Sequence, residues 1–178
     1  MMTFYFAQGT CALASHIALE QAGAEYRAVR IDFSNSQQKS ADYMKVNPKA
    51  ALAPLDDPFA LAQLNAFNSY LCSTVHIAHA YRMRGHRWVD DPDAILAMQK
   101  KVPQTVGECF ELIEREFFKG PWVMGANYTV GDAYLYTLAL WLEGDGVDPA
   151  RFPKIADHRR RMAEHPVVSK VVAAERAA

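Results

Sequence analysis

The chain has 178 residues, 51% hydrophobic and 22% charged, enough apolar material for one generous domain or two small ones. Lys and Arg number 19 against 20 Asp and Glu, a net charge of −1, so neither nucleic acid nor an anionic membrane is an expected partner. No stretch approaches the ~20 apolar residues of a membrane span, and no basic-then-apolar leader opens the chain.

Three well-separated cysteines, Cys11, Cys72 and Cys109, form neither a disulfide framework nor a zinc spacing, which points to a reducing cytoplasm. Thr3 to Phe6 is aromatic and β-branched and reads as a strand. From about Ala12 to Ala22 the apolar residues Leu13, Ile17 and Ala18 recur at helical spacing, with Thr10 as a cap candidate and Gly23 as the stop. Tyr26 to Asp32 alternates apolar and polar, with Tyr26, Ala28 or Val29, and Ile31 expected inward. Strand, helix and strand within about 30 residues make a βαβ unit, whose strands run parallel.

Ser34 to Val46 is polar, a short helix or loop stopped by Asn47-Pro48. Asp57-Pro58 then starts a long helix, marked by Leu61, Leu64, Phe67, Leu71, Val75 and Ala78, that runs to Gly85. A second begins near Asp91-Pro92 and runs to Phe117, with a kink expected at Pro103. Thr129-Val-Gly-Asp132 is a capping box opening a third helix, and Phe152 to Ala163 and Pro166 to Ala174 complete a helical second half.

Cys11 sits between the first strand and the first helix. The unpaired N–H groups and positive dipole end there favour a thiolate or a bound anion, although many such cysteines are only small hydrophobes. His76 and His79 lie one helical turn apart and could share a face, yet no further ligands make a zinc site with them. They could equally be packing histidines at an interface. His16 reads as a capping or packing residue, Cys72 and Cys109 as core, and Tyr5 as a rival to Cys11 for holding a thiolate. Tyr81, Trp88, Trp122 and Trp141 would pack the helical core or line an apolar pocket.

The run Phe4-Tyr5 through Cys11-Ala-Leu-Ala-Ser-His16-Ile, together with Asp42-Tyr-Met-Lys-Val-Asn47-Pro-Lys49, resembles a bacterial, beta-class-like glutathione S-transferase. So do Ser69-Tyr-Leu-Cys-Ser-Thr-Val-His76, Tyr128-Thr-Val-Gly-Asp-Ala-Tyr134 and Phe152-Pro-Lys-Ile with Arg161-Met-Ala-Glu-His-Pro166. The resemblance implies an α+β, mostly helical chain: a thioredoxin-like glutathione-binding unit over residues 1–51, then an all-helical domain over 52–178. It implies glutathione as co-substrate, a small hydrophobic electrophile or disulfide as its partner in the reaction, and a homodimer. Cys11 and His76 would be catalytic. Thr10, Cys11, Asn47, Lys49, Ser69 and His76 would bind glutathione.

The chain departs from the family pattern after Lys49. A Val-Pro turn, two antiparallel strands, a Glu-Ser/Thr pair and a helix normally follow, and here Ala50 to Asp57 leads directly into the helical half. About 30 residues are fewer than expected, a hairpin plus a helix in length. The thioredoxin-like unit is therefore expected to be truncated, with an exposed sheet edge. Ala12 replaces a serine of the class, Ser36 a basic residue (with Lys39 close by), and Ser69 an asparagine. Two other readings follow from these departures: a non-catalytic scaffold that has lost its glutathione clamp, and a single-cysteine redox thiol protein.

Overall fold

The computed structural model of the protein describes residues 1–32 and 58–177. Strand β1, Met2–Phe6, pairs in parallel with β2, Tyr26–Arg30, in the register Met2 to Tyr26 through Phe6 to Arg30. Helix α1, Ala12–Gln21, crosses between them, as the strand–helix–strand pattern requires. Among the described residues the sheet has these two strands only. Ser34 to Val46, Asn47 and Lys49 lie outside the described residues.

The register places Met2, Phe4, Phe6, Tyr26, Ala28 and Arg30 on one face of the sheet. His16 of α1 packs on that face, its ring 5.0 Å from Phe4, 5.4 Å from Phe6 and 5.7 Å from Tyr26. Ala28 is exposed and borders an open cleft of about 740 Å³ beside Tyr26, Arg30 and Glu20. Val29 of β2 is half-buried instead, and Ile31, just after the strand, is buried. A two-stranded sheet cannot cover both faces of itself.

The helical half opens with α2, Pro58–Tyr70, which continues through one π turn, Leu71–Val75, into α3, His76–Arg84. The expected single long helix is thus continuous but locally widened. Leu71 and Val75 anchor the π turn at 0% exposure, while Cys72, Ser73 and Thr74 between them all face solvent. Cys72 is therefore not a core residue, in contrast to its apolar neighbours. Cys109 does pack against the core.

Helix α4, Pro92–Leu112, is capped by the Asp91 carboxylate, which accepts from the Asp93 N–H at 2.9 Å, and passes unbroken through Pro103 before a second π turn, Ile113–Phe117. Helix α5, Val130–Ala139, then α6, Pro153–Glu164, and α7, Pro166–Ala177, follow.

The expected capping box is present and carries more than a cap. Asp132, fully buried, accepts from the Thr129 N–H (2.8 Å), the Thr129 hydroxyl (3.0 Å) and the Val123 N–H (2.9 Å). Its Oδ1 also meets His158 Nε2 at 3.1 Å. One carboxylate thereby ties the start of α5 to the loop before it and to α6.

Two cores result. The larger one, with Phe67, Leu71, Val106, Phe110, Leu135 and Phe152, joins the long helices. In the smaller, Leu13 and Ile17 of α1 pack with Ala133 and Tyr136 of α5 and with Val168 and Val171 of α7. Helix α1 buries Leu13, Ala14, His16, Ile17, Ala18 and Leu19, apolar around most of its circumference because it lies between the sheet and the helical half. A buried contact between His16 Nδ1 and Glu175 Oε1 at 2.9 Å, and an outer one from Lys170 to Glu20 at 2.5 Å, pin α1 to α7.

Candidate active site

The turn from β1 into α1 is built by Gly9, whose φ of 72° favours glycine, followed by Thr10 and Cys11. Thr10 Oγ1 donates to the Ala7 carbonyl at 2.7 Å and accepts from the Ala12 N–H at 3.3 Å, so Thr10 supplies the expected cap. Cys11 follows at the helix boundary and is exposed. Trp141, just beyond α5, donates from Nε1 to the Gly9 carbonyl at 3.2 Å and fixes this turn against the helical half.

Facing the turn are the π turn and the start of α3. His76 is half-buried, and its Nδ1 lies 3.2 Å from the Tyr134 hydroxyl of α5. Burial, with lesser contributions from His79 and Arg84, pushes the His76 pKa below the ordinary histidine value, so the ring is neutral near pH 7. Burial pushes the Tyr134 hydroxyl above the usual tyrosine range, with smaller contributions from Cys72 and Cys11.

The dipole argument favours a thiolate at Cys11, but the structure gives the opposite balance in the free protein. Desolvation raises the Cys11 pKa above the ordinary thiol value, its own N–H and Arg84 lower it, and Cys72 raises it. Desolvation of the thiol is the largest influence and outweighs one turn of helix dipole. A bound ligand that adds hydrogen bonds to the sulfur would reverse this.

Of the residues expected at the site, Thr10 and Cys11 lie at the β1–α1 turn, and His76 at the start of α3 is linked to that turn by Trp141, whose ring lies 5.4 Å from His76 and whose Nε1 donates to Gly9. Ser69 is exposed on α2, where its carbonyl accepts from the Ser73 hydroxyl at 2.7 Å; among the described residues it makes no hydrogen bond into this group. His79 is a packing residue, buried against Trp141 and Phe110 and paired with Asp145, which also takes Arg82 Nε at 3.0 Å. His16 likewise packs. Among the described residues no cluster of His, Cys, Asp and Glu could hold a metal ion.

Tyr134, hydrogen-bonded to His76, is the member that the sequence reading missed, because the two stand 58 residues apart and meet only when α5 packs beside α3.

The family model "Glutathione S-transferase, N-terminal domain" matches residues 1–71, and "Glutathione S-transferase, C-terminal domain" matches 72–166. The chain belongs to the glutathione S-transferase family. Among curated relatives it is 25% identical to glutathione S-transferase GstA of Escherichia coli, with 98% of each chain covered. That alignment runs over 198 positions, more than the 178 residues here, so the relative carries internal residues that this chain lacks.

A glutathione transferase homologue from Sulfitobacter with bound glutathione is 33% identical, covers 98% of both chains and superposes with a TM-score of 0.90. The glutathione S-transferase from Xylella fastidiosa, at 22% identity and a TM-score of 0.85 over 98% of both chains, has the same fold. The α+β, mostly helical architecture expected of the family is thus present, with a small strand–helix unit followed by the helical domain.

Proposed function

We propose that the protein binds glutathione at the β1–α1 turn and directs its thiol at a small hydrophobic electrophile or disulfide held against the helical domain. The observation that carries this reading is the exposed Cys11 at the start of α1, faced by the Tyr134–His76 pair. The 33%-identical Sulfitobacter homologue with bound glutathione supports the same ligand.

In this reading Cys11 bonds to, or hydrogen-bonds with, the glutathione sulfur. Thr10, with the first N–H groups of α1, supplies positive potential to it. The neutral His76 ring and the Tyr134 hydroxyl form a hydrogen-bonding pair that can donate to the sulfur as negative charge develops. Lowering the thiol pKa and holding the two reactants together are the sources of rate. Asn47, Lys49 and Ser69 are further contacts for the peptide part of glutathione. The unit over residues 1–51 holds glutathione, the domain over 52–178 receives the second substrate, and the protein acts in the cytoplasm as a homodimer. Among the described residues no helix is long and apolar enough to cross a membrane.

Calorimetry and activity settle the reading together. Millimolar glutathione should release heat and raise the melting temperature, and Cys11→Ala and His76→Ala should each reduce conjugation of a chlorodinitrobenzene probe. No heat, no thermal shift and no turnover would overturn it.

A further inference from the structure

His76 differs from the packing histidines in what its ring faces. His16 and His79 each present Nδ1 to a carboxylate, Glu175 and Asp145, an acceptor that holds a proton on that nitrogen. His76 presents Nδ1 to a hydroxyl instead, that of Tyr134 at 3.2 Å. Unlike a carboxylate, a phenol can donate, and so it can leave Nδ1 without a proton. An imidazole nitrogen is a far stronger base than a phenol oxygen, so the better-matched bond runs from the hydroxyl to the ring. Burial keeps the hydroxyl protonated and the ring neutral, as that bond requires.

Both partners are held in place by the elements that carry them. The His76 N–H bonds to the Leu71 carbonyl, five residues back, so the π turn shifts the ring to a face that plain α winding would not give it. Trp141 backs the ring at 5.4 Å, and the Tyr134 ring meets it edge-on at 6.4 Å. Tyr134 itself stands two residues after Asp132, whose carboxylate anchors the start of α5.

We propose that Tyr134 is a positioning residue: by donating to Nδ1 it keeps the His76 proton on Nε2, so that the neutral ring donates from that nitrogen alone. The proposal rests on the reading above only for what Nε2 then meets, the glutathione sulfur. The tautomer itself follows from the Tyr134–His76 contact and is present with or without a ligand.

Long-range ¹H–¹⁵N correlation spectra of the histidine-labelled full chain, at about pH 8 where an ordinary histidine is neutral, read the tautomer directly. The signals lost in His76→Gln assign His76. Wild type should show a pyrrole-like Nε2 and a pyridine-like Nδ1, and Tyr134→Phe should draw the two nitrogen shifts together as the proton divides between them. A pyrrole-like Nδ1 in wild type, or the wild-type pattern kept in Tyr134→Phe, would overturn the proposal. In conjugation assays Tyr134→Phe should lower kcat about 2–10-fold with the glutathione KM unchanged. Half of the rings or fewer then donate from the right nitrogen, a smaller loss than the ~10²–10³-fold of a deleted transition-state donor. In the His76→Gln background, where an amide donor has no tautomer to fix, the same substitution should change kcat by less than about 2-fold. An equal loss in both backgrounds would show that Tyr134 only supports the fold and would overturn its positioning role. The expected spectra from a protein that releases no heat with glutathione would uphold that role and count against the glutathione reading.

Discussion

Replacing Asp132 by alanine should destabilise the whole helical half, and the cost can be assembled from its four contacts. Loss of the reciprocal cap at Thr129 removes about 1 kcal/mol. The Val123 N–H, in a residue with 0% exposure, is left buried without its acceptor, at about 1–3 kcal/mol. His158, also at 0% exposure, loses its Nε2 partner at a similar cost of about 1–3 kcal/mol. Some of this is recovered if water enters the space, so a total near 4 kcal/mol is expected, a large part of a domain's usual ~5–15 kcal/mol.

With a urea m-value of about 2–3 kcal/mol/M, the unfolding midpoint should fall by about 1.3–2 M at unchanged m. Thr129→Ala removes only one donor and should cost about 1 kcal/mol. Circular dichroism at 222 nm, through the denaturation of both variants, reads the two shifts. A midpoint drop under about 0.5 M for Asp132→Ala, with m unchanged, would refute the claim that this carboxylate anchors α5 to α6 and to the preceding loop.

Gly131→Ala should destabilise for a different reason, because its Cβ would stand 2.9 Å from Leu64 Cδ1 and 3.3 Å from Phe67 Cδ1 in a full core. A loss of about 1–3 kcal/mol in the same denaturation is expected. Iodoacetamide alkylation of Cys11 in the glutathione-free protein, followed by mass, should accelerate with a midpoint above that of free cysteine. Arg84→Ala should move it higher still, since that charge lowers the thiol pKa. The His76 shift adds a pH signature to folding. A folded pKa below the unfolded value near 6.5 means that the unfolded chain binds the proton first, so this part of the stability is complete above about pH 6.5. It declines as pH falls from there towards the depressed pKa. Urea midpoints of wild type and His76→Gln should therefore converge on acidification; parallel curves would remove the effect.

Much of this architecture was readable because local chemistry dictates it. Aromatic and β-branched content marks β1, Thr10 and Gly23 bracket α1, Asp91-Pro92 opens α4, and the Thr129–Asp132 spacing is its own signature. The details that escaped are set across the chain. The π turn follows from how Leu71 and Val75 seat in the core, and no periodicity announces it. Consequently Cys72 read as apolar stripe although it faces outward. His16 was legible as a packing residue, but its partner Glu175 is visible only once α7 lies along α1. Asp132 was legible as a cap and not as a bridge to His158 for the same reason. At Cys11 the helix start was visible while the desolvation that raises its pKa was not, because its neighbours come from other elements.

The docking of α1 on α5 and α7 also bears on the order of events during synthesis. The contacts that hold the first unit in place span 132 residues from Gly9 to Trp141, 150 from Glu20 to Lys170 and 159 from His16 to Glu175. A ribosome releases the βαβ segment first, but its partners emerge after nearly everything else. Closing such long loops is slow, and the earliest-made strands must wait with their apolar face uncovered. The nascent chain is thus exposed to aggregation and to chaperones at its front end, until α7 arrives to cover it.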